Sequence, residues 1–365
     1  MQEETEMHGT LTQSLKLERR VPSRPKPGKT GREKVVNLAL QGGGSHGAFT
    51  WGVLDRLLEE KRLTIEGITA TSAGAVNAVL VAHGLATGGN EEARSALRNF
   101  WQRISAAASH GVFQPSLIDK MNGNFGLEHS PGYLLMGALS CFASPYQLNP
   151  FDYNPLKNLL EEIVDFARLR EQPVVKLFLC ATNARTGKPK IFKGDELQLD
   201  HVLASACLPL LTRAVEIDGE HFWDGGFAGN PAIFPVIYRC EAPDVIMVHL
   251  TPTERPDLPT TSYEIINRMQ EISLNSSFMG EMRSLALITK LIDDGRVAGG
   301  KRMLMHLIDA EDVIREFPGS SRLNCDWDFL LHLHDIGRQR ADQWLASNFD
   351  NLGVRSTVDL RAKYF

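Results

Sequence analysis

Two apolar runs joined by a glycine-rich loop restrict the fold more than any other feature of this chain. The first run is Val35–Leu40, the loop is Gln41–Gly47, and a stretch with helical spacing, Ala48–Leu58, leads to the second run, Ile68–Thr71. Uninterrupted runs of this kind are typical of strands buried on both faces of a parallel sheet. A right-handed crossover places the C-terminal ends of both strands at one edge of the sheet. The sequence therefore predicts an α/β fold with a mainly parallel central sheet.

A serine follows the second run directly, in the segment Ala70-Thr71-Ser72-Ala73-Gly74, and helix-compatible residues come next. A tight strand-to-helix turn of this form is a nucleophile elbow, which lifts a serine hydroxyl clear of the backbone at a helix N-terminus. The residues two before and two after the serine must be small, and here they are Ala70 and Gly74. Glycine is usual at the first position. The same pattern also occurs at ordinary strand–helix junctions, so it does not assign a nucleophile by itself.

The glycine loop supplies a second element at the same sheet edge. Gly42, Gly43 and Gly44 can turn several N–H groups toward one point beside the Ser72 hydroxyl. An oxyanion needs such donors, and each is worth roughly 3 kcal/mol of transition-state stabilisation.

The same loop reads Gly42-Xaa-Gly44-Xaa-Xaa-Gly47, which is the dinucleotide-binding fingerprint, so an NAD-binding Rossmann enzyme is an alternative. That fold needs an acidic residue at the end of the second strand to bind a ribose. Thr71-Ser72 occupy this place, and Glu66 precedes the strand instead. The nucleotide interpretation is therefore the less favoured one.

A third element lies further along the chain. Two short runs, Ala214–Ile217 and Glu220–Trp223, flank Asp218-Gly219, a pair typical of a type I′ hairpin turn. The second arm leads directly into Asp224-Gly225-Gly226. The aromatic neighbours of Asp224 favour its desolvation, which would raise the pKa of its carboxyl toward the range of a general base.

In this order, the glycine loop, the serine elbow and the Asp-Gly-Gly segment resemble the patatin-like phospholipases, and the resemblance covers roughly residues 35–250. It implies a three-layer α/β/α fold and a serine acyl hydrolase acting on lipid esters, of the phospholipase A or lysophospholipase kind. Ser72 would be the nucleophile and Asp224 the base of a Ser–Asp dyad. The remaining implied site residues are the oxyanion amides of Gly42, Gly43 and Gly44 and the motif positions Gly47, Ala70, Gly74, Gly225 and Gly226.

Two positions depart from the family pattern. Ala70 stands for the usual glycine of the elbow, and His46 stands where an arginine or lysine is common. The second departure makes His46 a candidate for pH-dependent contact with a lipid phosphate, and a neutral histidine bonded to the loop is the alternative. A catalytic triad in the order Ser72, Asp224, His249 is a further alternative. So is a catalytically silent module that binds lipid or protein, which Ala70 alone supports.

Composition limits the cellular setting and the partners. The five cysteines are odd in number and scattered, and no His/Cys cluster has metal-ligand spacing, so we expect reduced thiols, no metal and no cofactor. The N-terminus lacks the apolar segment of a signal peptide, which predicts a cytoplasmic protein. A basic stretch, Lys16–Lys34, carries no interleaved aromatic residues, which disfavours nucleic acid and favours peripheral contact with an anionic membrane.

The chain is expected to divide into a disordered basic arm (1–34), a catalytic domain (35–254) and a helical C-terminal region packed on it (255–365). Residues 119–155 are interpreted as an insert that forms a lid or acyl groove. Its apolar run Tyr133–Phe142 has about half the length of a membrane span. In the C-terminal region, a helix is predicted over Tyr263–Leu291, and a helix break at Ile336-Gly337.

Overall fold

The predicted apolar runs form neighbouring strands in the computed structural model, which describes residues 33–365 apart from 110, 117, 118 and 120–123. The described residues form one eight-stranded sheet in the order β5-β6-β3-β2-β1-β7-β8, and β4 also pairs with β3. The strands are β1 Lys34–Leu40, β2 Leu63–Thr71, β3 Lys176–Asn183, β4 Pro189–Lys193, β5 Val215–Ile217, β6 Glu220–Asp224, β7 Asp244–His249 and β8 Leu304–Asp309. The pairs among β1, β2, β3, β7 and β8 are parallel. The hairpin strands β4, β5 and β6 pair antiparallel.

The helices lie between and after these strands. They are α1 Gly47–Glu59, α2 Ala73–Thr87, α3 Asn90–Ala108, α4 Pro131–Ser140, α5 Pro145–Leu148, α6 Pro155–Ile163, α7 Phe166–Glu171, α8 Leu199–Ser205, α9 Phe234–Arg239, α10 Ser262–Asp293, α11 Glu311–Ile314, α12 Trp327–Asn348 and α13 Leu360–Tyr364. Short 3₁₀ turns at Gly44–His46 and Gly225–Phe227 lead out of β1 and β6.

The sheet has a separate apolar core on each face. Because successive side chains of a strand point to opposite faces, Leu38 and Leu40 of β1 pack with α1, α2, α3 and α12, whereas Ala39 packs with α9, α10 and α13. The larger core lies on the α1 side, where Trp51 is almost completely buried. The result is the expected three-layer α/β/α arrangement with a mainly parallel sheet.

The C-terminal region contributes more than the helices expected from its sequence. Its strand β8 pairs with β7 and extends the sheet, an element that the sequence analysis did not predict. The predicted helix break at Gly337 was wrong, because α12 continues through this residue. A Cβ atom at Gly337 would lie 2.1 Å from the carbonyl oxygen of Phe49 in α1. Glycine is thus required at this position by close helix packing and not by the end of a helix.

Residues Glu33–Phe365 form one compact unit. The predicted basic arm lies outside the described residues, except for Glu33 and Lys34, and Lys34 already begins β1. No helix in the described part of the chain has the length and apolarity needed to span a bilayer.

Candidate active site

Strand register brings the predicted serine and aspartate segments together. Thr71, the last residue of β2, is opposite Cys180 of β3, and the next residue of β3, Ala181, is opposite Asp224. At these positions β4 pairs with the other side of β3. Strand β6 therefore lies on the same side of β3 as β2, and its last residue, Asp224, comes just beyond the end of β2. Asp224 therefore comes beside Ser72, although 152 positions separate them in the chain.

The turn at Ser72 has the backbone of a strained elbow. Ser72 has φ 55° and ψ −125°, a conformation that residues other than glycine adopt rarely and at a cost of about 1–3 kcal/mol. Gly74 permits the turn, because a Cβ atom there would lie 2.4 Å from the carbonyl oxygen of Leu40. The Ser72 amide donates to Ser205 Oγ at 3.0 Å, and that hydroxyl donates to the Cys180 carbonyl at 2.6 Å. The elbow is thus fixed to β3 through Ser205 of α8.

The Asp224 carboxylate is buried, and the residue is 3% exposed. It accepts a hydrogen bond from the amide of Gly226 at 2.7 Å and interacts with the side chain of Ser72. Burial raises the pKa of Asp224 from 3.8 to about 6, against the opposing effect of Ser72 and Gly226. The carboxylate is therefore ionised near neutral pH and still basic enough to accept a proton.

Two amides of the glycine loop are available beside this pair. Within the described residues, the N–H groups of Gly43 and Gly44 donate no hydrogen bond, and both residues are partly exposed. Gly44 has φ 60°, and a Cβ atom there would meet the carbonyl oxygen of Arg322 at 2.3 Å. Only glycine fits this left-handed position against that wall.

The N–H group of Gly42, in contrast, already donates a hydrogen bond. Its amide donates to Asn230 Oδ1 at 2.8 Å, and a Cβ atom on Gly42 would lie 2.6 Å from Cβ of Ser72. The expectation that Gly42 is an oxyanion donor is therefore corrected: its amide is already used, and its lack of a side chain lets the loop approach the serine.

The sequence of this region matches the family model of the patatin-like phospholipases over residues 38–237, which is 200 of the 365 residues. The chain belongs to the patatin-like phospholipase family. This assignment supports a hydrolase that acts on lipids and confirms the family resemblance of the three motifs. No curated protein matches the chain in a sequence comparison.

Solved structures with a similar chain path have low sequence identity to this protein. VipD from Legionella pneumophila is 14% identical, with a TM-score of 0.40, and the match covers 91% of this chain and 73% of VipD. The heterodimeric complex ExoU–SpcU from the type III secretion system of Pseudomonas aeruginosa gives 15% identity and a TM-score of 0.35. That match covers 87% of this chain and 52% of the other, so the chain spans about half the length of this second relative.

His46 does not occupy a position where it could contact a lipid phosphate. Its ring is buried between Phe317 and Phe329, and Nε2 bonds Ser321 Oγ at 2.8 Å. Burial, and then the charges of Arg322 and Arg255, lower the pKa of His46 to about 3. The histidine is therefore neutral and structural, and the expected phosphate contact is corrected. The 3₁₀ turn directs this side chain into the core instead of toward the sheet edge.

The alternative base, His249, is also separated from the serine. It ends β7, and its ring stacks on Phe278 of α10 with the ring centroids 5.4 Å apart. Burial lowers the pKa of His249 to about 4. Within the described part of the chain, no hydrogen bond joins it to Ser72 or Asp224. The ring of His249 instead packs against α10.

Asn230 is a site residue that the sequence analysis missed. Its side chain is fully buried, Oδ1 accepts the Gly42 amide, and Nδ2 has no partner among the described residues. An asparagine before a proline reads as a turn in the sequence, so no local signal distinguishes it.

Gln41 is a second missed residue. Its Oε1 accepts the amides of Leu250 and Thr251 at 2.6 and 2.8 Å, and its Nε2 donates to Asn275 Oδ1 at 3.1 Å. The glycine loop is thereby tied to the end of β7 and to α10.

The predicted lid or acyl-groove insert contains α4 and α5, and residues 120–123 of it lie outside the described part. Its Ser140, Cys141 and Phe142 line a cavity of about 710 Å³ together with Leu210 and Trp223. Ser72 and Asp224 are not among the lining residues. Trp223 and Asp224 are consecutive in β6, so their side chains leave the strand on opposite faces.

Proposed function

We propose that this protein is a serine lipid acyl hydrolase in which Ser72 is the nucleophile and Asp224 the general base. The observation that carries the proposal is that strand register places Ser72 beside a buried carboxylate, with which its side chain interacts and whose pKa is raised to about 6. A serine hydroxyl is a weak nucleophile unless an adjacent base takes its proton. Membership of a phospholipase family supports a lipid ester as the substrate.

In the first half-reaction, Asp224 takes the proton from Ser72 Oγ as that oxygen attacks the carbonyl carbon of the ester. The negative charge that develops on the carbonyl oxygen is stabilised by the free amides of Gly43 and Gly44. The tetrahedral intermediate then expels the alcohol, which leaves with the proton held by Asp224. An acyl chain remains esterified to Ser72.

In the second half-reaction, Asp224 removes a proton from water as the water attacks the acyl carbonyl. The same two amides stabilise the second oxyanion, and the fatty acid leaves as the serine recovers its proton. Because only the ionised carboxylate can act as the base, turnover should rise with pH through about 6. For a phospholipid the alcohol is a lysophospholipid, and for a lysophospholipid it is the glycerophosphate part.

Labelling with a fluorophosphonate and hydrolysis of a short p-nitrophenyl ester test this proposal together. The unmodified protein should be labelled at Ser72. Ser72→Ala and Asp224→Asn should each lower turnover by at least about 10³-fold, because members of a catalytic unit fail together. An unlabelled protein that is correctly folded would instead be a silent lipid- or protein-binding module.

His249→Ala is the matched control, since this histidine is buried as completely as Asp224 but bonds neither member of the dyad. It should retain most of the activity per folded molecule, with the folded fraction measured by thermal melting. A collapse of activity in this variant, with an unchanged melting curve, would contradict the dyad and favour a triad.

A further inference from the structure

Helix α4 and the residues after it form an unusual surface. From Ser130 to Phe151 the chain has 22 consecutive residues without a charged side chain, and none of the residues of α4 is buried. Phe142 and Phe151 are 90% and 92% exposed, and Leu134, Leu135 and Tyr146 are more than half exposed. We call residues 130–151 the uncharged surface. Large exposed apolar side chains concentrated in one segment indicate an interaction site.

The uncharged surface is attached firmly to the body of the protein. At one end, Tyr133 Oη lies 3.5 Å from Tyr263 Oη, and Tyr263 donates to Glu128 at 2.8 Å. At the other end, the Ala214 amide donates to Tyr146 Oη at 3.3 Å. The segment between these points, which carries Leu134, Leu135 and Phe142, is therefore attached to the rest of the protein near both of its ends.

The same surface shares a cavity with the segment that follows α8. Its Phe142 and Tyr146 line the 710 Å³ cavity opposite Pro209 and Leu210. Those two residues follow Ser205, which accepts the Ser72 amide, by only four and five positions. A layer resting on the uncharged surface would thus lie near the segment that follows Ser205.

The charged side chains at and beside this cavity favour a partner with an anionic surface and an apolar interior. Among the described residues, the cavity lining contains no acidic residue and one arginine, Arg185. Arg213 lies over the Tyr146 ring at 5.4 Å, next to the same cavity. Exposed aromatic rings combined with arginines are suited to the interface of a bilayer, where rings enter the acyl boundary and cations meet phosphates. If this surface bound a folded protein, we would expect some of its 22 residues to carry charges complementary to that protein.

We propose that the uncharged surface docks on a lipid bilayer and that Phe142 and Phe151 insert into its interface. This inference rests on the proposed function, which requires access to a lipid ester, and names the surface through which that access is gained. The partner is a phospholipid layer, with Arg185 and Arg213 placed at its anionic head groups.

The test is sedimentation of the full chain with vesicles of phosphatidylcholine alone and of phosphatidylcholine mixed with phosphatidylserine. It is made in the Ser72→Ala protein, so that binding is measured without hydrolysis. Replacing Phe142 and Phe151 together by serine should lower the partition coefficient about tenfold or more on both vesicles, because apolar insertion contributes to both. Replacing Arg185 and Arg213 by glutamine should lower binding only on the mixed vesicles.

Tyr238 and Phe365 provide the matched control, since they are 80% and 72% exposed but lie outside the uncharged surface. Serine at both of these positions should leave vesicle binding unchanged. Equal losses in the two double variants, or no binding to either vesicle, would overturn the proposal. So would a dimer, detected by analytical ultracentrifugation, that the Phe142/Phe151 variant dissociates while vesicle binding is unaffected. Ester hydrolysis is measured separately in the unmodified protein, and its failure would contradict the proposed function alone.

Discussion

At the scale of single residues, ionisation of the buried Asp224 carboxyl opposes folding. Asp224 gains a hydrogen bond from Gly226 and interacts with Ser72, yet burial raises its pKa to about 6. A carboxyl with a raised pKa stabilises the folded state below its unfolded pKa of 3.8, and that contribution is lost as the pH rises through about 6. Activity and stability should therefore depend on pH in opposite directions at this one residue.

Asp224→Asn tests this opposition, because asparagine does not ionise and can still accept from the Gly226 amide. Between about pH 4 and pH 8, the unmodified protein should lose about 2 kcal/mol of unfolding free energy relative to the variant. Urea denaturation of both proteins at both pH values gives the difference in unfolding free energy at each pH. The other buried titratable groups, such as His46 and Glu281, are common to both proteins and cancel. A difference that does not change with pH would show that the Asp224 carboxyl is not perturbed.

Asn230 should act as a positioning residue through the Gly42 amide. Asn230→Leu removes the acceptor, so the glycine loop is less well held, and kcat/KM should fall about 10²-fold. Asn230→Asp keeps the acceptor oxygen but adds a negative charge near Asp224. Its pH–rate profile should therefore move to higher pH. If both variants lost activity equally and the profile of Asn230→Asp did not move, Asn230 would have only a structural role.

Local sequence predicted Ser72, Asp224, Gly43 and Gly44 because a strand end, a tight turn and a glycine run are short-range features. The environment of His46 could not be read in the same way. Its burial depends on aromatic residues near position 320, whose proximity is set by the packing of a distant segment. The hydrogen bond of Gly42 to Asn230 is equally non-local. Long-range contacts therefore explain which site residues the sequence did not predict.

At the scale of secondary-structure elements, α1 and α12 approach each other at their glycines. A Cβ atom at Gly52 would lie 1.9 Å from the carbonyl oxygen of His334, which belongs to the α12 backbone. Such an approach lets two helices from opposite ends of the chain pack backbone to backbone.

The β5–β6 hairpin was predictable, because Asp218 and Gly219 both have positive φ as a type I′ turn requires. Strand β8 was not, since its partner β7 is 55 or more positions earlier in the chain.

The close approach can be measured with a pair of glycine substitutions in helices. Gly52→Ala should cost about 2–4 kcal/mol of unfolding free energy, because the backbone of α12 must move. Gly280→Ala in α10 meets no atom within 4 Å and should stabilise the protein by up to about 1 kcal/mol through helix propensity. Chemical denaturation compares the two. A neutral Gly52→Ala would mean that α12 is free to shift.

At the scale of the whole molecule, the basic N-terminal stretch and the uncharged surface offer two kinds of membrane attraction. The stretch Lys16–Lys34 contains eight lysines and arginines, each worth about 1 kcal/mol near an anionic bilayer. Charge attraction between exposed groups is screened by salt, whereas apolar insertion is not. Salt dependence can therefore separate the two contributions.

Deletion of residues 1–32 should weaken binding to phosphatidylserine-containing vesicles at low salt and have little effect at high salt. The deleted protein begins just before β1, so its fold can be checked by thermal melting. Equal binding of the deleted and full chains at low salt would remove the basic stretch from membrane attraction.

The wall behind Gly44 also affects the order in which the protein becomes competent during synthesis. Ser72 and Asp224 leave the ribosome well before Arg322, whose carbonyl oxygen faces Gly44, and before Ser321, which holds His46. A nascent chain can thus contain Ser72 and Asp224 while its glycine loop is still unsupported on one side. We expect this loop to reach its final arrangement only when the last eighth of the chain has been made.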